Sequence, residues 1–213
     1  MLTVNEIFHS LQGETSTTGF PSVFVRLTGC NLECAYCDTP GARTEGMEME
    51  IDEILRKIES YSWFDHVTIT GGEPLLQSDT VTLLDEILQR GWKCQLETNG
   101  SVLIRDVPLG VRKIVDVKTP SSGEADSFEM RNLKYLDEGD EVKFVMSTAE
   151  DYEFAADFTR KYLAGKKPAV NFSPAFGTLD PADLAEWILR DGLPVRLNLQ
   201  IHRLIWGPEA AGK

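Results

Sequence analysis

From residue 20 onward, short runs of β-branched and other apolar residues alternate with stretches whose apolar positions recur every three or four residues. The run at 22–27 (SVFVRL) predicts a strand, and Ile51, Ile54, Leu55 and Ile58 then fall on one helical face. A strand at 66–70 (HVTIT) leads into the loop GGEP. A helix capped at Ser78 carries Val81, Leu84, Ile87 and Leu88 and stops before Gly91. Strands are expected at 92–98, 113–118, 141–146 and 168–172, with a helix through Tyr152, Ala155, Phe158 and Tyr162 before the last of these. Asp180-Pro181 reads as a cap followed by proline at the first helical position, opening a helix that buries Leu184, Trp187 and Ile188. A final strand is expected at 195–201 (VRLNLQI).

Repeated strand-helix units of this kind build an α/β fold. About six units, short of eight, predict a partial, TIM-like barrel of about six parallel strands in a single domain over residues 1–213. The polar residues that follow the strands point to function. Thr70 to Glu73, Glu97 to Asn99, Asp116, Lys118 and Ser173 all fall at or just beyond expected carboxyl ends, the face on which barrel enzymes assemble their sites.

Composition narrows the classes of partner. A formal charge of −13 across 213 residues disfavours general binding to nucleic-acid backbone and favours a small-molecule substrate. A local basic patch around Arg112 and Lys113 could still dock an acidic electron carrier. No apolar run is long enough to span a bilayer and no segment resembles a targeting peptide, so no membrane association and a cytoplasmic location are expected.

The densest chemistry lies in Cys30-Asn-Leu-Glu-Cys34-Ala-Tyr-Cys37, on the loop after the 22–27 strand. Three thiols at this spacing can ligate three irons of a 4Fe-4S cluster and leave the fourth iron open. Structural zinc would need a fourth ligand, and Cys94 is distant in sequence, without a partner, and placed in an alternating run that reads as core. A disulfide framework would call for an oxidising compartment. Gly71 and Gly72 let a ligand approach the backbone, and Glu73 could face a bound α-amino group; the plainer reading of GGEP is a tight turn.

CxxxCxxC with Tyr36 before the third cysteine, followed by GGEP after the next strand, resembles the radical S-adenosylmethionine superfamily. Ser10-Leu-Gln12-Gly-Glu14-Thr, Arg26, Cys37-Asp38-Thr39, DVKTP and the terminal stretch from Gln200 through His202 and Trp206 to Pro208 narrow the resemblance to the 7-carboxy-7-deazaguanine synthase family. That resemblance implies a radical SAM core and a lyase that contracts the ring of 6-carboxy-5,6,7,8-tetrahydropterin with loss of ammonia, on the route to queuosine and other 7-deazapurines. In the superfamily, S-adenosylmethionine chelates the open iron and is cleaved to a 5′-deoxyadenosyl radical.

The resemblance assigns the cluster to Cys30, Cys34 and Cys37, and Mg2+ to Thr39. It assigns S-adenosylmethionine contacts to Tyr36, Cys37, Asp38, Gly72, Asp116, Lys118 and Ser173. Substrate contacts fall to an N-terminal segment of Leu11, Gln12, Gly13 and Glu14, together with Arg26 and Thr70. Glu14 would accept from the pterin ring while Arg26 pairs with its carboxylate. A homodimer, a flavodoxin- or ferredoxin-type reductant and a C-terminal extension complete the implication. A glycyl-radical activating enzyme and an electron-transfer iron-sulfur protein share the cysteine motif. LQGE with Arg26 fits a small acid better than the first, and GGEP on the same face speaks against the second.

Overall fold

The computed structural model describes residues 1–61 and 63–207; Pro208 and the extension to Lys213 lie outside the described residues. The chain opens on β1 (Leu2–Leu11), which folds back antiparallel on β2 (Pro21–Leu27), while the short β3 (Met47–Met49) pairs antiparallel with the other edge of β1. The remaining strands run parallel to β2. They are β4 (His66–Gly71), β5 (Lys93–Thr98), β6 (Val111–Asp116), β7 (Glu141–Met146), β8 (Ala169–Pro174) and the two-residue β9 (Arg196–Leu197). The spatial order is β3-β1-β2-β4-β5-β6-β7-β8-β9, and its two ends do not pair. The sheet is therefore a partial barrel, with six long parallel strands, a short seventh and an antiparallel edge.

Helices α1 (Ile51–Glu59), α2 (Thr80–Gln89), α3 (Ala149–Phe158) and α4 (Pro181–Asp191) complete the strand-helix units. Their apolar positions bury Ile54, Leu55, Leu84 and Ile87 against one half of the sheet, and Tyr152, Ala155, Leu184 and Ile188 against the other. Each large aliphatic side chain buried in this way contributes about 2 kcal/mol. A Thr148–Asp151 capping box starts α3, and Asp180 caps α4 through the Ala182 N–H as its sequence predicts.

The inner face is polar. Alternation along β7 sends Val142, Phe144 and Met146 outward into the core and leaves Glu141 and Lys143 on the opposite face. That interior is filled by the β1–β2 connection. Thr17 bonds Gln95 of β5, Ser16 bonds Glu141 of β7, and the Thr15 N–H reaches Asn198 beyond β9.

Three expectations are corrected. The apolar positions of 2–11 form β1, a strand ahead of the first one expected and paired between β3 and β2, and α2 starts at Thr80 with Asp79 rather than Ser78 as its cap. The run 195–201 keeps only Arg196–Leu197 in the sheet. Asn198 turns inward to Ser173 and Thr15, and the Ile201 N–H donates to Gly13, so the chain leaves the sheet after β9 and enters a fifth helix, α5 (Ile201–Trp206). His202 consequently lies on a helix.

Candidate active site

A cleft of about 300 Å³ opens at the carboxyl ends of the parallel strands, walled on one side by the cysteine loop after β2 and on the other by the 11–14 segment after β1. Cys30, Cys34 and Cys37 line it as free thiols. Tyr36, Asp38 and Thr39 continue the same wall. Three thiolates can each take a different iron of one cluster.

Two observations fit a bound group here, in a loop where burial raises the Cys34 thiol against the pull of Lys118. Asn99 donates its amide toward the Cys30 sulfur at 3.8 Å and to Asn31 at 3.1 Å. Gly72 presses so closely on the loop that a Cβ there would stand 2.2 Å from the Gly29 carbonyl oxygen and 2.8 Å from the Cys30 Cβ. Replacing Gly72 by alanine is expected to cost about 1–3 kcal/mol through overpacking and to lower the iron bound per chain. Thermal unfolding and iron content after reconstitution measure the two effects.

The floor of the cleft is a charge cluster. Lys143 contacts Glu14 at 2.7 Å and Asp116 at 3.4 Å, and Asp116 also holds Lys118 at 2.9 Å. Burial alone would lower the Lys143 ammonium, yet the Asp116, Glu14 and Glu97 carboxylates hold it well above its ordinary range. Burial likewise favours a neutral Asp116, but Lys118 and Lys143 outweigh it and keep the carboxyl low. Glu97 goes the other way: burial raises its carboxyl despite Lys143, even though Gln12, Gln95 and Thr70 all donate to it.

Most of the expected site residues meet in this cleft. Leu11, Gln12, Gly13, Glu14, Arg26, Thr70, Gly72, Asp116 and Lys118 line it along with the cysteine loop. Glu14 offers a buried Oε1 with no partner among the described residues, its Oε2 being held by Lys143. Arg26 donates its Nε to Glu6 at 2.8 Å, while its terminal nitrogens keep no partner among the described residues. Gln12 plays a different part. Its amide donates to Glu97 and Thr68 and accepts from the Gly13 and Glu14 N–H groups, so it braces the loop.

Other residues fall elsewhere. Ser173 does not line the cleft; it accepts from Asn198 beneath it. Glu73 is fully buried, with its carboxylate taking the Thr98 hydroxyl and the Asn99 and Leu75 N–H groups, so it braces two loops and does not face a ligand. Lys113 is buried against Asp140 at 2.9 Å and Arg112 bonds Ser16, so the two form no surface patch beside the cluster. They line a second cavity, about 660 Å³, that shares only Gln12 with the cleft.

Glu97, Thr98 and Asn99, expected on the carboxyl-end face, do line the cleft, whereas Lys143 and His202 line it without having been assigned a role there. A usable signal existed for Lys143, a charge at an alternate position of a strand expected to be buried on both faces. His202 stands over Gly13, where a Cβ would meet its Nδ1 at 1.8 Å, and burial lowers its imidazole despite Glu14. The neighbouring Arg203 pairs with Asp38 at 3.3 Å, which ties α5 to the cysteine loop.

An open α/β barrel carrying three loop cysteines beside paired glycines defines a radical S-adenosylmethionine protein, and residues 24–116 match the model of the Radical SAM superfamily. The chain is 48% identical to the 7-carboxy-7-deazaguanine synthase of Koribacter versatilis, over 98% of this chain and 99% of that one. It is 43% identical to the enzyme of the same name from Chlorobaculum tepidum, over 99% and 97%. The crystal structure of QueE from Escherichia coli superposes with a TM-score of 0.75 at 26% identity, covering 93% of each chain. The chain therefore belongs to the 7-carboxy-7-deazaguanine synthase family, and the cofactors of its superfamily are a 4Fe-4S cluster and S-adenosylmethionine.

Proposed function

We propose that this chain is a lyase converting 6-carboxy-5,6,7,8-tetrahydropterin to 7-carboxy-7-deazaguanine with loss of ammonia, in the biosynthesis of queuosine and related 7-deazapurines. The observation that carries this reading is one cleft lined both by the three cysteines and by Glu14 and Arg26, whose Oε1 and terminal nitrogens have no partner among the described residues. When bound, the cluster and S-adenosylmethionine supply the one-electron chemistry that abstracts hydrogen from substrate. Cys30, Cys34 and Cys37 would hold the cluster, with Tyr36, Gly72, Asp116 and Lys118 along the path of the cofactor.

The chain's own residues bind and orient the pterin. Glu14 accepts from the ring's amino and N–H groups with the oxygen that Lys143 leaves free. Arg26 presents two terminal nitrogens to the substrate carboxylate, its third already fixed by Glu6. Glu97, whose carboxyl burial raises, gathers the Gln12, Gln95 and Thr70 donors on the same floor. Thr70, bonded to Glu97 at 3.2 Å, completes that edge of the floor.

Thr39 offers a single hydroxyl to Mg2+, too few ligands for a site of its own, so the ion would be held only with the substrate carboxylate completing it. We extend the reading to a homodimer and to a flavodoxin- or ferredoxin-type reductant. No helix among the described residues is long and apolar enough to cross a membrane.

The test is anaerobic incubation of the reconstituted protein with reductant, S-adenosylmethionine and the carboxytetrahydropterin. Formation of 7-carboxy-7-deazaguanine and ammonia in equal amounts is expected. A protein with a competent cluster that cleaves S-adenosylmethionine and yields neither would sink the assignment.

A further inference from the structure

Glu141, at the start of β7, is 1% exposed and does not line the cleft, yet both oxygens of its carboxylate are engaged. Oε1 takes the Ser16 N–H at 3.0 Å and the Ser16 hydroxyl; Oε2 takes the Asn171 amide at 2.6 Å and the Arg196 guanidinium at 2.7 Å. Arg196 in turn donates its Nε to Asn171 at 2.8 Å. Two residues farther along β7, on the same face, Lys143 holds Glu14 at 2.7 Å. One strand thus grips residues 14 and 16 of a single loop.

Thr15, between them, has φ +71°, the one positive φ outside glycine among the described residues. A β-branched residue takes that conformation only where its surroundings dictate it. Its N–H is fixed by Asn198 at 2.8 Å on one side of the turn and its neighbour Ser16 by Glu141 on the other. The turn so enforced sends the Glu14 carboxylate into the cleft with one oxygen left free.

We propose that Glu141, backed by Arg196 and Asn171, is a positioning residue for substrate recognition: it holds Ser16, and through the turn at Thr15 it aims Glu14 at the pterin. The inference rests on Glu14 being a pterin contact. Glu141 touches neither substrate nor cofactor, and its effect falls on binding of the pterin alone.

Glu141→Gln keeps the size of the side chain but puts an NH2 where two donors or the Ser16 donors need an acceptor. The expected result is a rise in KM for the carboxytetrahydropterin on the order of tenfold, with kcat and the KM for S-adenosylmethionine unchanged. Hydrogen exchange at the Thr15 and Ser16 amides should quicken in the same variant. Adding Thr15→Asn, which accepts the left-handed conformation readily, should restore the pterin KM. An unchanged pterin KM, or an equal rise for both substrates with loss of kcat, overturns the positioning role. Glu14→Gln tests the underlying reading separately. If that variant binds pterin as the parent does, the reading of Glu14 fails, and the hold on the loop is then judged by amide exchange, where parental rates in Glu141→Gln would overturn it.

Discussion

Cys34→Ala is expected to yield a folded protein that retains no stable four-iron cluster and makes no 7-carboxy-7-deazaguanine. The cysteine loop carries little of the fold. Its backbone bonds are few, among them Cys37 N–H to the Cys34 carbonyl and Ala35 N–H to Ser122, while the apolar core lies between the sheet and the outer helices. Loss of one thiolate out of three leaves an iron without a protein ligand, and with Cys94 buried in the core no substitute sulfur can reach it. Iron and sulfide content and the spectrum of the reduced cluster, read beside the thermal unfolding midpoint, check the prediction. Parental iron content with full turnover would refute the assignment of the cluster to this loop.

The second large effect is on stability. Lys143→Met removes the cation shared by Glu14 and Asp116 and facing Glu97, and the breaking of such a buried group costs about 3–5 kcal/mol. That is a large part of the roughly 5–15 kcal/mol by which a domain is stable. The pH dependence should also change. In the parent, Asp116 is held low, so its share of stability is present above the ordinary carboxylate range and is lost as pH falls through its folded value. Glu97, already raised, has the opposite sign: its share is present at low pH and is lost as pH rises through its folded value. Without Lys143 both carboxyls move up, so the deficit of the variant should be larger at pH 8 than at pH 5. Urea midpoints at the two pH values measure this, and an equal deficit at both would show that Lys143 acts by packing and not by charge.

The unequal legibility of these residues has a physical basis. The cysteine spacing, the GGEP turn and the Asp180 cap are local signals, since each depends on residues a few positions apart, and each was read where it stands. Glu73 and Ser173 fall outside the cleft, and Gln12 lines it while also bracing its loop, because their partners are remote. Glu73 meets Thr98 and Asn99 across two strand ends, Gln12 meets Glu97, and Ser173 meets Asn198. Nothing near these residues in sequence announces that their polar atoms are already engaged.

By itself the sequence determined the α/β alternation, the open barrel, the cluster loop and the family, because periodicity and motif spacing are properties of short segments. Only the tertiary structure decided which polar side chains face the cleft and which brace it. That choice depends on the register of seven parallel strands and on the loop after β1 entering the barrel, where Lys143 and Glu141 fix residues 14 and 16. Buried charges must find partners wherever the sheet brings them, and for Lys143 with Glu14 and Glu141 with Ser16 those partners lie more than a hundred residues away along the chain.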